Sequence, residues 1–89
     1  FTNGLTLDQN FPNPVSSFTE INFNVPHEDR VSLKVYDIFG RQVALLVEGK
    51  LQSGDYNTRF NASELPNGLY YYRLQTSDFN LTRKLLVQK

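Results

Sequence analysis

His27 is the only imidazole available to act as a general base or a metal ligand in this 89-residue chain. It lies in Pro26-His27-Glu28-Asp29, which reads as a polar turn. No spacing brings a nucleophile or a ligand set onto it. The carboxylates Asp8, Glu20, Glu28, Asp29, Asp37, Glu48, Asp55, Glu64 and Asp78 are scattered. Only Glu28 and Asp29 are adjacent, and neighbours in one turn do not straddle a substrate as an acid/base pair must. A loop calcium would need only oxygen ligands, but no EF-hand or acidic repeat is present. The expectation is therefore no metal and no cofactor. The serines have no nucleophile elbow, and the glycines form no phosphate-cradling cluster. The sequence predicts a domain that is not an enzyme.

Three further features could support binding. Tyr70-Tyr71-Tyr72 suggests stacking on sugars, but strand alternation turns only Tyr71 outward, and core packing is the simpler expectation. Asn61-Ala62-Ser63 and Asn80-Leu81-Thr82 match the N-glycosylation triplet, a pattern common by chance. Arg83-Lys84 followed by Leu85-Leu86-Val87-Gln88-Lys89 reads either as an ordinary last strand with a solvated basic pair or as an exposed strand. An exposed strand would be offered to a receptor as a docking face or by edge addition.

Size and composition narrow the classes. A chain this short is one domain and buries roughly 60–65% of its unfolded surface. Seven Phe and five Tyr supply large core residues, and no Cys is present for disulfide, thiolate-metal or redox chemistry. Nine basic residues balance nine acidic ones, which argues against nucleic acid or an acidic membrane bound through bulk charge. No apolar run approaches the roughly 20 residues of a transmembrane helix. The chain starts at Phe1 without a leader pattern, as a piece of a longer protein would.

The elements that must position these residues are strands, because apolar residues recur with period two almost throughout. Leu5 and Leu7 mark a short first strand that ends at Gln9-Asn10-Phe11-Pro12-Asn13-Pro14. Its two prolines forbid helix and central strand, so this stretch is a rigid elbow. Ile21, Phe23 and Val25 give the inner face of a second strand, and Val31, Leu33 and Val35 that of a third. Phe39-Gly40-Arg41 is a tight turn in which Gly40 takes positive φ. The run Val43 to Val47 is continuously apolar, as expected of a strand covered on both faces. Tyr56, Thr58 and Phe60 alternate in a fifth strand; Leu69 to Gln75 forms the sixth and Phe79 to Val87 the seventh. Seven short antiparallel strands predict an all-β, immunoglobulin-like β-sandwich. Pro66-Asn67-Gly68-Leu69-Tyr70 predicts a tyrosine corner, with Tyr70 folding its hydroxyl back onto the turn and Tyr72 and Leu74 in the core.

Taken together, these stretches resemble the type A C-terminal sorting domain of proteins exported by the type IX, or Por, secretion system. The resemblance is carried by Leu7-Asp8-Gln9-Asn10-Phe11-Pro12-Asn13-Pro14, Ile21-Asn22-Phe23-Asn24-Val25-Pro26 and the segment Val31 to Val43 with its Tyr36-Asp37-Ile38-Phe39-Gly40-Arg41 turn. Leu65-Pro66-Asn67-Gly68-Leu69-Tyr70 and the closing Arg83-Lys84-Leu85-Leu86-Val87-Gln88-Lys89 complete it. One departure follows the elbow, where the family commonly has Phe-Asn-Pro and this chain has Val15-Ser16-Ser17.

The resemblance implies that residues 1–89 are one sorting domain, with linker, first strand and elbow in residues 1–14, preceded by an unknown cargo. It implies export to the periplasm and then secretion or display at the surface of a Gram-negative bacterium. Its partners would be the type IX translocon and a sortase-like peptidase, which removes the domain on surface attachment by a cut near or before Phe1. Lys84, Leu85, Leu86, Val87, Gln88 and Lys89 would carry the recognition signal. Asn10, Pro12, Asn13, Pro14, Asp37, Gly40, Arg41, Pro66, Gly68 and Tyr70 would be structural. A weak homodimer through an edge strand is left open. The alternatives are an immunoglobulin-like scaffold of flagellar hook-capping type, which shares the Tyr-Asp…Gly-Arg turn, and a carbohydrate-binding or adhesion module of an extracellular enzyme.

Overall fold

Alternation of apolar and polar residues builds seven strands in the computed structural model, which describes residues 4–89. Residues 1–3, and with them the expected cut near Phe1, lie outside the described residues. The strands are β1 (Thr6–Leu7), β2 (Phe18–Val25), β3 (Asp29–Tyr36), β4 (Gln42–Leu51), β5 (Gly54–Asn61), β6 (Gly68–Gln75) and β7 (Asn80–Val87). All pair antiparallel, in a three-stranded sheet of order β1-β2-β5 and a four-stranded sheet of order β4-β3-β6-β7. No helix among the described residues is long and apolar enough to cross a membrane.

The inner faces meet as the period-two pattern requires. Ile21, Phe23 and Val25 face Val31, Leu33, Val35, Tyr72, Leu74, Leu85 and Val87 across the interior. Leu5, Leu7 and Val15 from the N-terminal segment are buried in the same core. Phe23 and its cross-strand partner Tyr56 stack with ring centroids 5.4 Å apart, tying β2 to β5.

The expectation that Val43 to Val47 is covered on both faces is wrong. β4 is the edge of its sheet, with Val43 37% and Leu45 47% exposed. The apolar run has another cause. The register against β3 jumps between Leu33↔Val47 and Lys34↔Leu45, and again between Val35↔Ala44 and Tyr36↔Gln42. Leu46 and Val43 are the extra residues of two bulges. Each bulge resets which side chain points inward, so Ala44, Leu46 and Val47 all pack against the core.

Two tyrosine hydroxyls hold loops to this frame. Tyr70 Oη donates to the Pro66 carbonyl at 2.8 Å, which makes the predicted tyrosine corner. Tyr72 is fully buried, so its hydroxyl must find partners inside the protein. It donates to the Asp8 carbonyl at 2.7 Å and accepts the Asn10 N–H at 2.8 Å. Asn10, also buried, gives its carboxamide N–H to Thr19 Oγ1 (3.0 Å) and the Pro12 carbonyl (3.1 Å), and its oxygen accepts from Gln9 Nε2. Thr19 Oγ1 donates to the same Pro12 carbonyl at 2.9 Å. Burial pushes the Tyr72 hydroxyl up to about 12, opposed by the Asn10 N–H and the charge of Arg83.

Two outcomes follow for stability. Tyr70→Phe leaves the Pro66 carbonyl without its donor and costs about 1 kcal/mol in denaturant unfolding. Tyr72 has a folded value above the ordinary 10.0, so its neutral form favours the fold. That stability is complete below pH 10 and is lost as pH rises through about 12. Absorbance titration should show Tyr72 ionising near pH 12, and Tyr72→Phe should remove that step together with the matching alkaline loss of stability. An alkaline titration that Tyr72→Phe leaves unchanged would contradict this.

Candidate functional site

The residues expected to carry recognition, Lys84 to Lys89, occupy the last four residues of β7 and the two that follow. Alternation splits them. Leu85 and Val87 point into the core and are essentially inaccessible, whereas Lys84, Leu86, Gln88 and Lys89 are exposed. The C-terminal strand is thus a core element as well as a surface. On its inner side β7 pairs with β6 along its whole length, from Gly68↔Val87 to Gln75↔Asn80.

Its outer edge is not free. Gln9 Nε2 donates to the Lys84 carbonyl at 2.7 Å, and the Leu86 N–H donates to Asn13 Oδ1 at 3.0 Å. Val15 N–H donates to the Leu86 carbonyl (2.8 Å), and Gln88 N–H to the Val15 carbonyl (2.9 Å), forming a parallel bridge Val15↔Val87. Arg83 Nε donates to the Leu7 carbonyl. The elbow therefore lies along the C-terminal half of β7 and satisfies the backbone groups that an added strand would use. Edge addition there is blocked in this conformation, and the strand's outward side chains are what remains exposed.

The family-motif residues fall into three groups. Asn10, Pro12 and Asn13 build and place the elbow through the bonds just described, and Pro14 leads into the buried Val15; both X–Pro bonds are cis. Asp37, Gly40 and Arg41 close the β3–β4 turn. Asp37 Oδ1 accepts the N–H groups of Phe39 (2.9 Å) and Arg41 (3.0 Å), and Oδ2 accepts Arg41 Nε (2.8 Å). Partial burial opposes ionisation of Asp37, but these donors outweigh it and hold its carboxyl below the ordinary carboxylate value. Gly40, at φ 82°, sits in the left-handed region, as expected. Pro66, Gly68 and Tyr70 form the tyrosine corner. Lys89 reaches this corner, its N–H on Asn67 Oδ1 at 3.0 Å and its ammonium on the Ser63 carbonyl.

These two turns lie side by side at one pole. Ile38, Phe39, Val43, Leu65 and Leu69 line a groove of about 320 Å³ there, and Ile38 and Phe39 are 61% and 76% exposed. Gly4 lies against Pro26 at the other pole of a molecule 37 Å long. The polar turn at that pole brings His27, Asp29 and Asp78 together, their ligand atoms within 4.8 Å of one another, a cluster that spacing did not reveal. Asp29 is already engaged by Ser77 Oγ at 2.8 Å, the main cause of its lowered pKa. The same Asp29 oxygen, Oδ2, lies 4.0 Å from His27 Nε2.

The family model of the secretion system C-terminal sorting domain matches residues 9–88, from the start of the elbow almost to the last residue. No curated protein sequence matches the chain. Among solved structures it is similar to dimeric latent PorU from Porphyromonas gingivalis, with a TM-score of 0.68 and 22% identity. That likeness covers 93% of this chain and 9% of PorU, and at this identity it speaks for the sandwich fold alone. Residues 9–88 span both the elbow and the strand it covers, and the chain belongs to the family of type IX secretion C-terminal sorting domains.

Proposed function

We propose that this domain is a non-catalytic address label. It directs an attached cargo through the type IX outer-membrane translocon, after passage through the periplasm, and a sortase-like peptidase removes it as the cargo is fixed at the surface. The observation that carries this reading is the family match over residues 9–88. Membership in that family implies export to the cell surface or secretion from a Gram-negative bacterium.

Geometry supports the division of labour. A cargo ahead of Gly4 would sit at the pole of Pro26, opposite Lys89. The proposed signal, Lys84 to Lys89, would then face the translocon unobstructed by the cargo. Residues 1–89 act as one unit in this reading. Leu5, Leu7 and Val15 pack in the core, so the elbow travels with the label rather than with the cargo.

The test is a fusion of this chain to the C-terminus of a periplasmic reporter in a host with the type IX system. The intact fusion should reach the surface, and deletion of Lys84–Lys89 should strand the reporter in the periplasm. That deletion also removes Leu85 and Val87, and losing one such core side chain costs about 2–4 kcal/mol. A second variant therefore changes only outward residues, Leu86→Ser with Gln88→Ala and Lys89→Ala. It should stay folded by circular dichroism and still lose export. Export of both variants at the intact rate would overturn the assignment.

A further inference from the structure

Overall charge balance conceals a segregation between the two sheets. The strands of the four-stranded sheet carry Arg30, Lys34, Lys50, Arg73, Arg83 and Lys84 against only Asp29 and Glu48. Those of the three-stranded sheet carry Arg59 against Glu20 and Asp55. Strand alternation places Lys34, Arg73 and Lys84 on the outer face, because their neighbours Leu33, Val35, Tyr72, Leu74 and Leu85 fill the core.

The register joins them into a cluster. Lys34 is directly opposite Arg73, Tyr36 is opposite Tyr71, and Tyr71 is opposite Lys84. Like charges directly across a ladder cost stability, yet this sheet sets Lys34 against Arg73. Among the described residues no carboxylate lies within 4.0 Å of Lys34, Arg73 or Lys84. The guanidinium of Arg73 lies 5.1 Å from the centre of the Tyr36 ring instead. Tyr36, Tyr71, Arg73 and Thr82 line a shallow depression of about 270 Å³, and the one acid at its rim, Asp37, is taken by Arg41. Next to the basic cluster, Leu69 and Leu86 face each other, and Leu86 is 37% exposed.

We propose that this face, centred on Lys34, Tyr71, Arg73 and Lys84, docks an acidic protein surface. The charge calls for carboxylates, and the adjoining Leu69–Leu86 pair calls for apolar side chains beside them. A protein partner sets both side by side at its surface, whereas a polyanionic glycan supplies only the first and a bilayer holds its apolar chains beneath the headgroups, out of line with a Leu pair level with the charges. The inference rests on the sorting role and names the surface by which the terminal strand is read: its side-chain face, since the elbow occupies its edge.

Two measurements decide it. In amide NMR titrations, a short peptide of Glu and Leu should shift resonances of β3, β6 and β7. The neutral variant Lys34→Gln, Arg73→Gln, Lys84→Gln should weaken that binding about ten-fold or more, while Arg59→Gln on the opposite sheet leaves it unchanged. Salt should weaken it strongly as well. The neutral variant should unfold at the same temperature or higher, because it removes a like-charge pair. No binding of the peptide, shifts on the three-stranded sheet, or tighter binding of dextran sulfate or phosphatidylglycerol vesicles would overturn the proposal. In the reporter fusion, periplasmic retention of the neutral variant alone supports it, and export equal to the intact fusion refutes it. If the intact fusion is also retained, the sorting role fails, and the titration judges the basic face separately.

Discussion

A hydroxyl buried at the centre of the four-stranded sheet governs the arrangement of everything around it. Tyr72 has no access to water, and an unmade hydrogen bond there would cost far more than a made one contributes. Its partners come from one segment, the Asp8 carbonyl and the Asn10 N–H. Bonding them fixes residues 8–10 beside β6 and β7 and starts the elbow on its path along the last strand. Asn10 and Thr19 extend the network until every buried side-chain polar atom among the described residues has a partner. The elbow is thus held by polar chemistry at its base and by Val15 in the core at its far end.

That placement answers a problem common to sandwiches, which expose the edges of both sheets. The four-stranded sheet protects its two edges by different means. At β7 the Gln9 and Asn13 side chains and the Val15 backbone occupy the outward groups of Lys84, Leu86 and Gln88. At β4 the bulges at Val43 and Leu46 interrupt the ladder a new strand would need. With its edges guarded, the sheet presents side chains outward, and there the basic cluster lies. Lys34 opposite Arg73 is a local conflict that the fold tolerates, and such conflicts concentrate where a surface is used.

Much of this was legible in the residues, and the particular cases show why. Ile21-Asn22-Phe23-Asn24-Val25 and Val31-Ser32-Leu33-Lys34-Val35 alternate strictly, and a strand's side chains alternate by covalent geometry, so element and inner face follow together. Tyr70 reaches back only four residues to Pro66, so its corner is a local event readable from Pro66-Asn67-Gly68-Leu69-Tyr70. Gly40 needed only its own turn. The misread segment was Val43 to Val47, because two bulges mimic in one dimension the continuous apolar run of a covered strand. Whether a strand is central or at an edge depends on sheet order, which no local pattern encodes.

The chain alone determined the seven strands, the inner faces of the regularly alternating β2, β3 and β6, the tyrosine corner and, through the sum of its motifs, its family, since all of these rest on neighbours close in sequence or on motif order. Tertiary structure decided what the C-terminal strand offers. Asn13 lies 73 residues from Leu86 and Gln9 lies 75 from Lys84, so only the closed fold could show that the elbow covers that edge. It also decided where the charges gather. Nine bases and nine acids cancel in a count, but the pairing of β3, β6 and β7 sets Lys34, Arg73 and Lys84 on one face with no carboxylate within 4.0 Å among the described residues. Charges act over distances of a few ångströms, and those distances exist only once the strands are in register.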